Sequence, residues 1–253
     1  MDINGVAAIV TGGASGLGNA TAKMLATGGA KVAIFDMNAE AGEAAAKSID
    51  GIFCATNVAD DGSVSEALDT AKAAHGVARI LINCAGIAPA MKTVGRDNAP
   101  HALDIYRKTI EVNLIGTFNV ISKFAARLVA ADPVGEERGV IVNTASVAAY
   151  DGQIGQAAYA SSKSGVVGMT LPVARDLSQH LIRVMTIAPG IFWTPMLAGL
   201  PHAAQESLSK QVPHPSRLGK PEEYAQLVES IVRNPMLNGE VIRLDGAIRM
   251  APK

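Results

Sequence analysis

Seven short apolar runs punctuate the chain: "GVAAIVTGG" from Gly5, "KVAIFD" from Lys31, "GIFCATNV" from Gly51, "RILINCAG" from Arg79, "GVIVNTAS" from Gly139, "IRVMTIAPG" from Ile182 and "EVIRLDG" from Glu240. They are rich in β-branched residues and continuous rather than alternating, the pattern of strands covered on both faces. Between them lie Ala-, Leu-, Lys- and Glu-rich segments with helical spacing, at 17–28, 40–48, 62–75, 103–130, 157–179 and 221–233. This alternation predicts an α/β fold, a parallel sheet with helices on both sides. Pro172, inside the fifth of these helices, removes one backbone donor and predicts a kink.

No Ser/Gly-rich or Pro-rich linker divides the 253 residues, and no internal repeat is visible, so 1–253 reads as a single domain. Two irregular excursions interrupt the alternation, 87–104 after the fourth run and 191–219 after the sixth. Both leave the carboxyl ends of strands, where open α/β sheets bind ligands, and loops of this length in compact domains are more often functional than ornamental.

Composition narrows the function. The chain is 49% hydrophobic, 18% charged and 4% aromatic, with a net charge of −1, so it is globular and has no surplus of cations for a nucleic acid partner. The first ten residues, "MDINGVAAIV", carry an acid where a secretory signal has basic residues, and no apolar stretch approaches the roughly 18–20 residues needed to span a bilayer. Cys54 and Cys84 have neither metal-ligand nor disulfide spacing, and the five histidines show no metal pattern. No metal is expected, and a reducing cytoplasm is the expected compartment.

The segment "TGGASGLG" (11–18) follows the first strand and opens the first helix. Gly12, Gly16 and Gly18 permit a tight turn and a close approach to a pyrophosphate, while the helix N-terminus offers free N–H groups and the positive end of a dipole. Asn19, not Lys, follows Gly18, so this is not a Walker loop. Asp36 ends the second strand, eighteen residues beyond Gly18, where a carboxylate can accept from an adenosine ribose and repel a 2′-phosphate. An Asp there can equally be a turn residue. With neither Met37 nor Asn38 cationic, the expectation is NAD rather than NADP.

Tyr159 and Lys163 stand four apart, one turn of the helix at 157–179. A phenol is a poor base at its ordinary pKa near ~10, and a fixed positive charge nearby favours the phenolate. In isolation such a pair is equally an interface aromatic and a solvated lysine. Ser146, at the end of the fifth run, adds a hydroxyl that can hold a substrate oxygen without titrating.

"TGGASGLG", "NCAG" (83–86), Asn113 in "IEVNLIGTFNV", Ser146, "YASSK" (159–163) and "APG" (188–190) together resemble the short-chain dehydrogenase/reductase superfamily, in order and spacing and over essentially the whole chain. "GVIVNTASVAAYDGQIGQAAYASSK", "GMTLPVARDL", "RVMTIAPGIFWTP", "VPHPSRLG" and "NGEVIRLDGAIRM" are similar to the type II 3-hydroxyacyl-CoA dehydrogenases within it. The resemblance implies a single-domain Rossmann fold with a doubly wound, seven-stranded parallel sheet and a homotetrameric assembly. It implies that Tyr159 is the general acid/base, that Lys163 lowers its pKa and binds the nicotinamide ribose, that Ser146 positions the reacting oxygen, and that Asn113 helps hold a water connecting Lys163 to solvent.

For the cofactor it implies Gly12, Ser15, Gly16, Leu17 and Gly18 at the pyrophosphate, Asp36 at the adenosine ribose, and Asn57 and Val58 at the adenine. Cys84, Ala85 and Gly86 would pass beneath it, and Pro189, Gly190, Phe192 and Thr194 would flank the nicotinamide. Candidate substrate contacts are Ser146, Tyr159, Gln156, Trp193 and Leu197, with Phe192 and Met196 adding apolar surface in the loop 191–219. Two departures are visible: Asn57 stands where Asp is common, and Cys84 replaces an Asn, a position where a small buried thiol is expected. Gly165 and Gly168 suit either a neighbouring subunit or a close contact within the chain.

The function expected on these grounds is NAD-dependent, reversible oxidation of a 3-hydroxyacyl-CoA to the 3-ketoacyl-CoA. The alternatives are a dehydrogenase of hydroxysteroids or other bulky apolar alcohols, and a non-catalytic NAD-sensing or scaffolding protein. No unmistakable site for coenzyme A phosphates stands out; Lys92, Arg96, Lys210 and Arg217 are rim candidates.

Overall fold

Each apolar run becomes a strand of one sheet. A computed structural model of the chain describes residues 1–194, 197 and 202–252. The strands are β1 Ala7–Thr11, β2 Lys31–Asp36, β3 Ile52–Ala55, β4 Ala78–Asn83, β5 Gly139–Thr144, β6 Ile182–Pro189 and β7 Val241–Leu244. All neighbours pair in parallel, in the order β3-β2-β1-β4-β5-β6-β7. The order reverses between β1 and β4, so the crossovers leave a crevice where the carboxyl ends of those two strands part.

The helices are α1 Gly16–Thr27, α2 Ala39–Lys47, α3 Asp61–His75, α4 Leu103–Ile110, α5 Gly116–Leu128, α6 Ala157–Ser178, α7 His202–Lys210 and α8 Pro221–Arg233. Continuous apolar strands feed two cores at once. Val10, Ile82 and Val142 pack with Leu25, Ala45 and Val228 on one face, while Ile9, Leu81 and Ile141 pack with Leu68, Phe124 and Ala174 on the other. Period-two alternation of direction along a strand is what sends adjacent apolar residues to opposite layers.

Two details differ from the sequence reading. The excursion 191–219 contains α7, whose "HAAQESLSK" is built of helix-tolerant residues. A nine-residue helix between prolines 201 and 213 gives too short a periodic signal to stand out. The helix expected over 103–130 is interrupted by a π turn, Glu111–Ile115, centred on Asn113. α6 runs on through Pro172, which lies on an exposed face where the carbonyl it leaves unpaired can be hydrated. No described helix is long and apolar enough to cross a membrane.

At the amino end of the sheet, Arg183 on β6 is 6% exposed and pairs with Glu137, also 6% exposed, at 2.7 Å. Its remaining donors reach the carbonyls of Ile231, Val232 and Leu237 at 2.9 Å, satisfying the last turn of α8. Burial pushes the Glu137 carboxyl up, but Arg183 and the Met1 ammonium at 2.7 Å outweigh it and hold the pKa below its ordinary value. The pair's stabilisation is therefore present above the ordinary carboxylate pKa and is lost as pH falls through the lowered one. Arg183→Met leaves the buried carboxylate with the Met1 ammonium alone and takes the Arg183 donors from three carbonyls; it is expected to cost about 3 kcal/mol, read as a lower denaturant midpoint with an unchanged slope.

Candidate active site

The glycine turn is built by contacts within the protein. Gly12 has φ +65°, and a Cβ there would lie 2.7 Å from the backbone nitrogen of Ala85. A Cβ on Gly18 would lie 2.2 Å from the Gly12 carbonyl oxygen. These two glycines let β1 approach the loop after β4 and let α1 approach its own turn. Thr11 Oγ1 accepts from the N–H groups of Cys84 and Ala85 at 3.2 Å, which joins both walls of the crevice. Ser15 caps α1 in an extended conformation without a side-chain cap bond, so its exposed hydroxyl and the N–H groups of the first turn remain available to an anion.

Asp36 reaches this turn directly: its carboxylate accepts from Ala14 N at 3.1 Å and from Asn38 N at 3.0 Å. It is thus both a turn residue and a carboxylate held over the phosphate loop. At the adenine candidates, the Asn57 side-chain oxygen accepts from Ala59 N at 3.2 Å. Val58 is buried, a Cβ on Gly116 would lie 2.7 Å from its Cγ2, and its carbonyl accepts from Asn119 Nδ2 at 2.9 Å. Leu17 likewise packs partly into the core.

Ser146 follows β5 and opens the 3-10 turn Val147–Ala149, its Oγ accepting from Ala148 N at 3.1 Å. The Tyr159 phenol is close enough to that same hydroxyl for Ser146 to pull its pKa down. Lys163, one turn along α6, is 5% exposed; its Nζ donates to the Thr144 carbonyl at 2.8 Å and stands 5.9 Å from the centre of the Tyr159 ring. The solvated-lysine alternative is thereby excluded.

The electrostatics differ from the expectation that Lys163 lowers the tyrosine. Burial pushes the Tyr159 phenol above its ordinary pKa, and only the Ser146 hydrogen bond opposes it. Burial also pulls Lys163 down to about 8, against a small opposing effect of Cys84. Loss of water outweighs attraction here because the ammonium is aimed at a carbonyl rather than at the phenol oxygen. In the protein alone, the phenol is protonated at neutral pH.

Asn113 is fully buried and its side chain is committed: Oδ1 accepts from Ile87 N at 2.8 Å, and Nδ2 donates to Ile87 O at 2.8 Å and to Ser162 Oγ at 3.0 Å. It clamps the loop after β4 onto α6. Its side-chain donors and acceptor are thus satisfied within the protein, and it sits in a π turn, where the helical hydrogen-bond ladder is offset.

Other candidates separate into those near the crevice and those engaged elsewhere. Pro189 ends β6, and a Cβ on Gly190 would lie 2.9 Å from Asp245 Cα. Phe192 is 8% exposed with its ring over Gly219, so its side chain belongs to the core. Gln156, at the entry to α6, has its side-chain oxygen bound to Gln153 N at 3.0 Å. Trp193 is 47% exposed, Thr194 is half-buried, and Leu197 N donates to Thr194 O at 2.9 Å. Met196 lies outside the described residues. Lys92, Arg96 and Lys210 are exposed, whereas Arg217 is held by both carboxylate oxygens of Glu223, at 2.6 and 2.8 Å, and leaves the rim set.

Sequence reasoning missed Thr144, whose carbonyl seats Lys163, and Tyr224 on α8, whose hydroxyl lies 2.7 Å from Thr144 Oγ1. Thr144 stood within the "NTAS" segment; Tyr224 had no local signal. Cys84 is a neutral thiol, its pKa raised chiefly by burial.

The crevice thus gathers a glycine turn at a helix N-terminus, the Asp36 carboxylate bound to that turn, and a phenol, a hydroxyl and a buried ammonium at adjoining strand ends. The family model described as short chain dehydrogenase matches residues 6–205. The chain is 53% identical to 3-hydroxyacyl-CoA dehydrogenase type-2 of Rattus norvegicus over 99% of this chain and 97% of that one. It is 52% identical to the protein of that name in Drosophila melanogaster, covering 99% and 100%. The crystal structure of 3-hydroxyacyl-CoA dehydrogenase type-2 from Mycobacterium avium superposes with a TM-score of 0.93 at 43% identity, covering 98% of each chain.

Proposed function

The chain belongs to the short-chain dehydrogenase family of oxidoreductases, and we propose that it oxidises the secondary alcohol of a 3-hydroxyacyl-CoA to the 3-ketoacyl-CoA, reversibly and with NAD. The observation that carries the chemistry is the buried Lys163, seated on the Thr144 carbonyl at 2.8 Å with its Nζ 5.9 Å from the centre of the Tyr159 ring, beside Ser146. The name shared by the relatives supports the substrate class.

Gly12, Ser15, Gly16, Leu17 and Gly18 would hold the pyrophosphate and Asp36 the adenosine ribose. The Val58 N–H and the Asn57 amide would meet the adenine. Cys84, Ala85 and Gly86 would line the floor, with Pro189, Gly190, the main chain of Phe192, and Thr194 beside the nicotinamide. When bound, the dinucleotide supplies the hydride acceptor and a positive charge beside the phenol.

Ser146 donates to and orients the substrate oxygen. Tyr159 takes the hydroxyl proton as the phenolate, a form its raised pKa disfavours until a second positive charge joins Lys163. Lys163, fixed on Thr144, holds a ribose hydroxyl and its own proton. Trp193 and Leu197 supply apolar surface for the acyl chain. The whole chain acts as one domain, with 191–219 as the substrate loop. Two unpaired thiols suit a reducing cytoplasm.

A homotetramer is supported by exposed apolar residues on α4–α6, among them Ile105, Phe118 and Leu171. Gly168 faces open space, while Gly165 is explained within the chain, where a Cβ would meet the Leu114 side chain at 2.6 Å.

A panel of acetoacetyl-CoA and steroid ketones, each with NADH and NADPH, tests the proposal. The expected result is that kcat/KM is highest by far for acetoacetyl-CoA with NADH. Preference for NADPH would overturn the role of Asp36, and preference for steroids would overturn the substrate class.

A further inference from the structure

The β4–β5 ladder ends at Asn83↔Asn143. The next pair in register, Cys84 and Thr144, is not joined through the backbone, because Cys84 N turns to Thr11 O at 3.1 Å as the crevice opens. Side chains take over: Thr144 Oγ1 donates to Cys84 Sγ at 3.3 Å. Tyr224 Oη, arriving from α8 on the face opposite α6, lies 2.7 Å from Thr144 Oγ1 and 3.8 Å from Cys84 Sγ.

Each of the three groups carries one proton. With Thr144 donating to the sulfur, Tyr224 donates to Thr144 and the thiol turns weakly toward the phenol oxygen, which closes a ring. Tyr224 has no exposed surface, and the apolar face it shares with Ala225, Val228 and Ile231 would accept a phenylalanine. A buried hydroxyl is costly unless bonded, so its presence calls for a use.

We infer that Tyr224 is a positioning residue for Lys163: by closing the ring with Thr144 and Cys84 it fixes the Thr144 carbonyl on which the buried ammonium is seated. The inference rests on the proposed role of Lys163 in the dehydrogenase reaction. Thr144 is held on one side by its pairing with Ile187 of β6. Ala145 N, in the same peptide unit as the Thr144 carbonyl, donates to Ile187 O at 2.8 Å on that side, and on the side where the crevice opens the ring holds the Thr144 side chain. The titratable groups around Lys163 are Tyr159 on α6, Cys84 after β4 and, through Thr144, Tyr224 on α8; Asn113 and Ser162 are neutral. Burial raises Tyr224 and Cys84 and keeps both protonated, as the ring requires.

The test compares Tyr224→Phe, Thr144→Val, Thr144→Ser and the Tyr224→Phe/Thr144→Val double variant with the unaltered enzyme. Two readouts are used: the Lys163 pKa by NMR of the Cε-labelled protein, and kcat with its pH profile. Tyr224→Phe is expected to lower kcat about tenfold with KM changed less than twofold, to lower the Lys163 pKa, and so to move the basic limb of kcat to lower pH. Thr144→Val should match it, Thr144→Ser should restore both readouts, and the double variant should lose no more than either single.

A folded Tyr224→Phe with unchanged kcat profile and unchanged Lys163 titration would overturn the inference. If Tyr224→Phe does not fold, Thr144→Val decides on the same criteria. Absence of turnover in the unaltered protein would overturn the proposed function instead, and the Lys163 titration alone then decides whether the ring acts on the ammonium.

Discussion

Tyr159→Phe is expected to retain NADH binding and a native melting temperature while turnover falls by roughly 10³–10⁴-fold, the upper part of the range for a positioned acid/base. The ring remains and fills the same space, so packing is kept; the hydroxyl that exchanges the proton is gone. Stopped-flow NADH fluorescence and steady-state assays on one preparation separate the two effects. Because burial already raises the phenol, the unaltered enzyme should oxidise alcohols faster as pH rises, with an apparent pKa that falls only when the oxidised cofactor is bound. Near-normal turnover in the variant would remove Tyr159 from the chemistry.

Lys163→Met is expected to lose at least 10²-fold in kcat/KM and yet to be more stable than the unaltered protein at neutral pH. The lysine pKa falls from 10.5 to about 8 on folding. Its unfolded form therefore binds more protons between those values, and stability rises with pH across that window. Below about pH 8 the ammonium is charged in both states, and its burial costs roughly 3 kcal/mol at ~1.36 kcal/mol per unit. The Thr144 carbonyl loses one hydrogen bond in the variant, about 1 kcal/mol. The net gain of about 2 kcal/mol should raise the melting temperature by about 4 °C at pH 7 in cofactor-free protein, and the advantage should vanish above about pH 10.5. Equal or lower stability at pH 7 would show that the ammonium is better solvated than its 5% exposure indicates. An inactivating substitution that stabilises is the mark of a group retained for function.

The two predictions also separate what each level of description contains. The alternation of apolar runs and helical segments determined the sheet and its parallel sense, because a strand covered on both faces must be apolar at every position and a parallel neighbour requires a long crossover. The glycine turn and the Tyr159–Lys163 spacing were legible for a similar reason: a turn and a helical i, i+4 pair are made by residues close in sequence. Asp36 was legible because a strand end and the preceding turn lie a fixed distance apart in one βαβ unit.

The rest depended on which strand ends the crossovers bring together. Nothing near Thr144 announces a hydroxyl eighty residues away, and only the register of β4 with β5 shows that their backbones part at Cys84. Local spacing did not show that the side chains of Val58 and Phe192 pack into the core, or that the side-chain oxygen of Gln156 is bound to Gln153. The sequence by itself determined the architecture and the identities of the phenol, hydroxyl and ammonium, since these follow from local spacing and from continuous apolarity. Only the tertiary structure decided their electrostatics, because desolvation depends on every atom that excludes water from a site, and those atoms come from segments far apart in the chain, such as Cys84 and Thr144 beside Lys163.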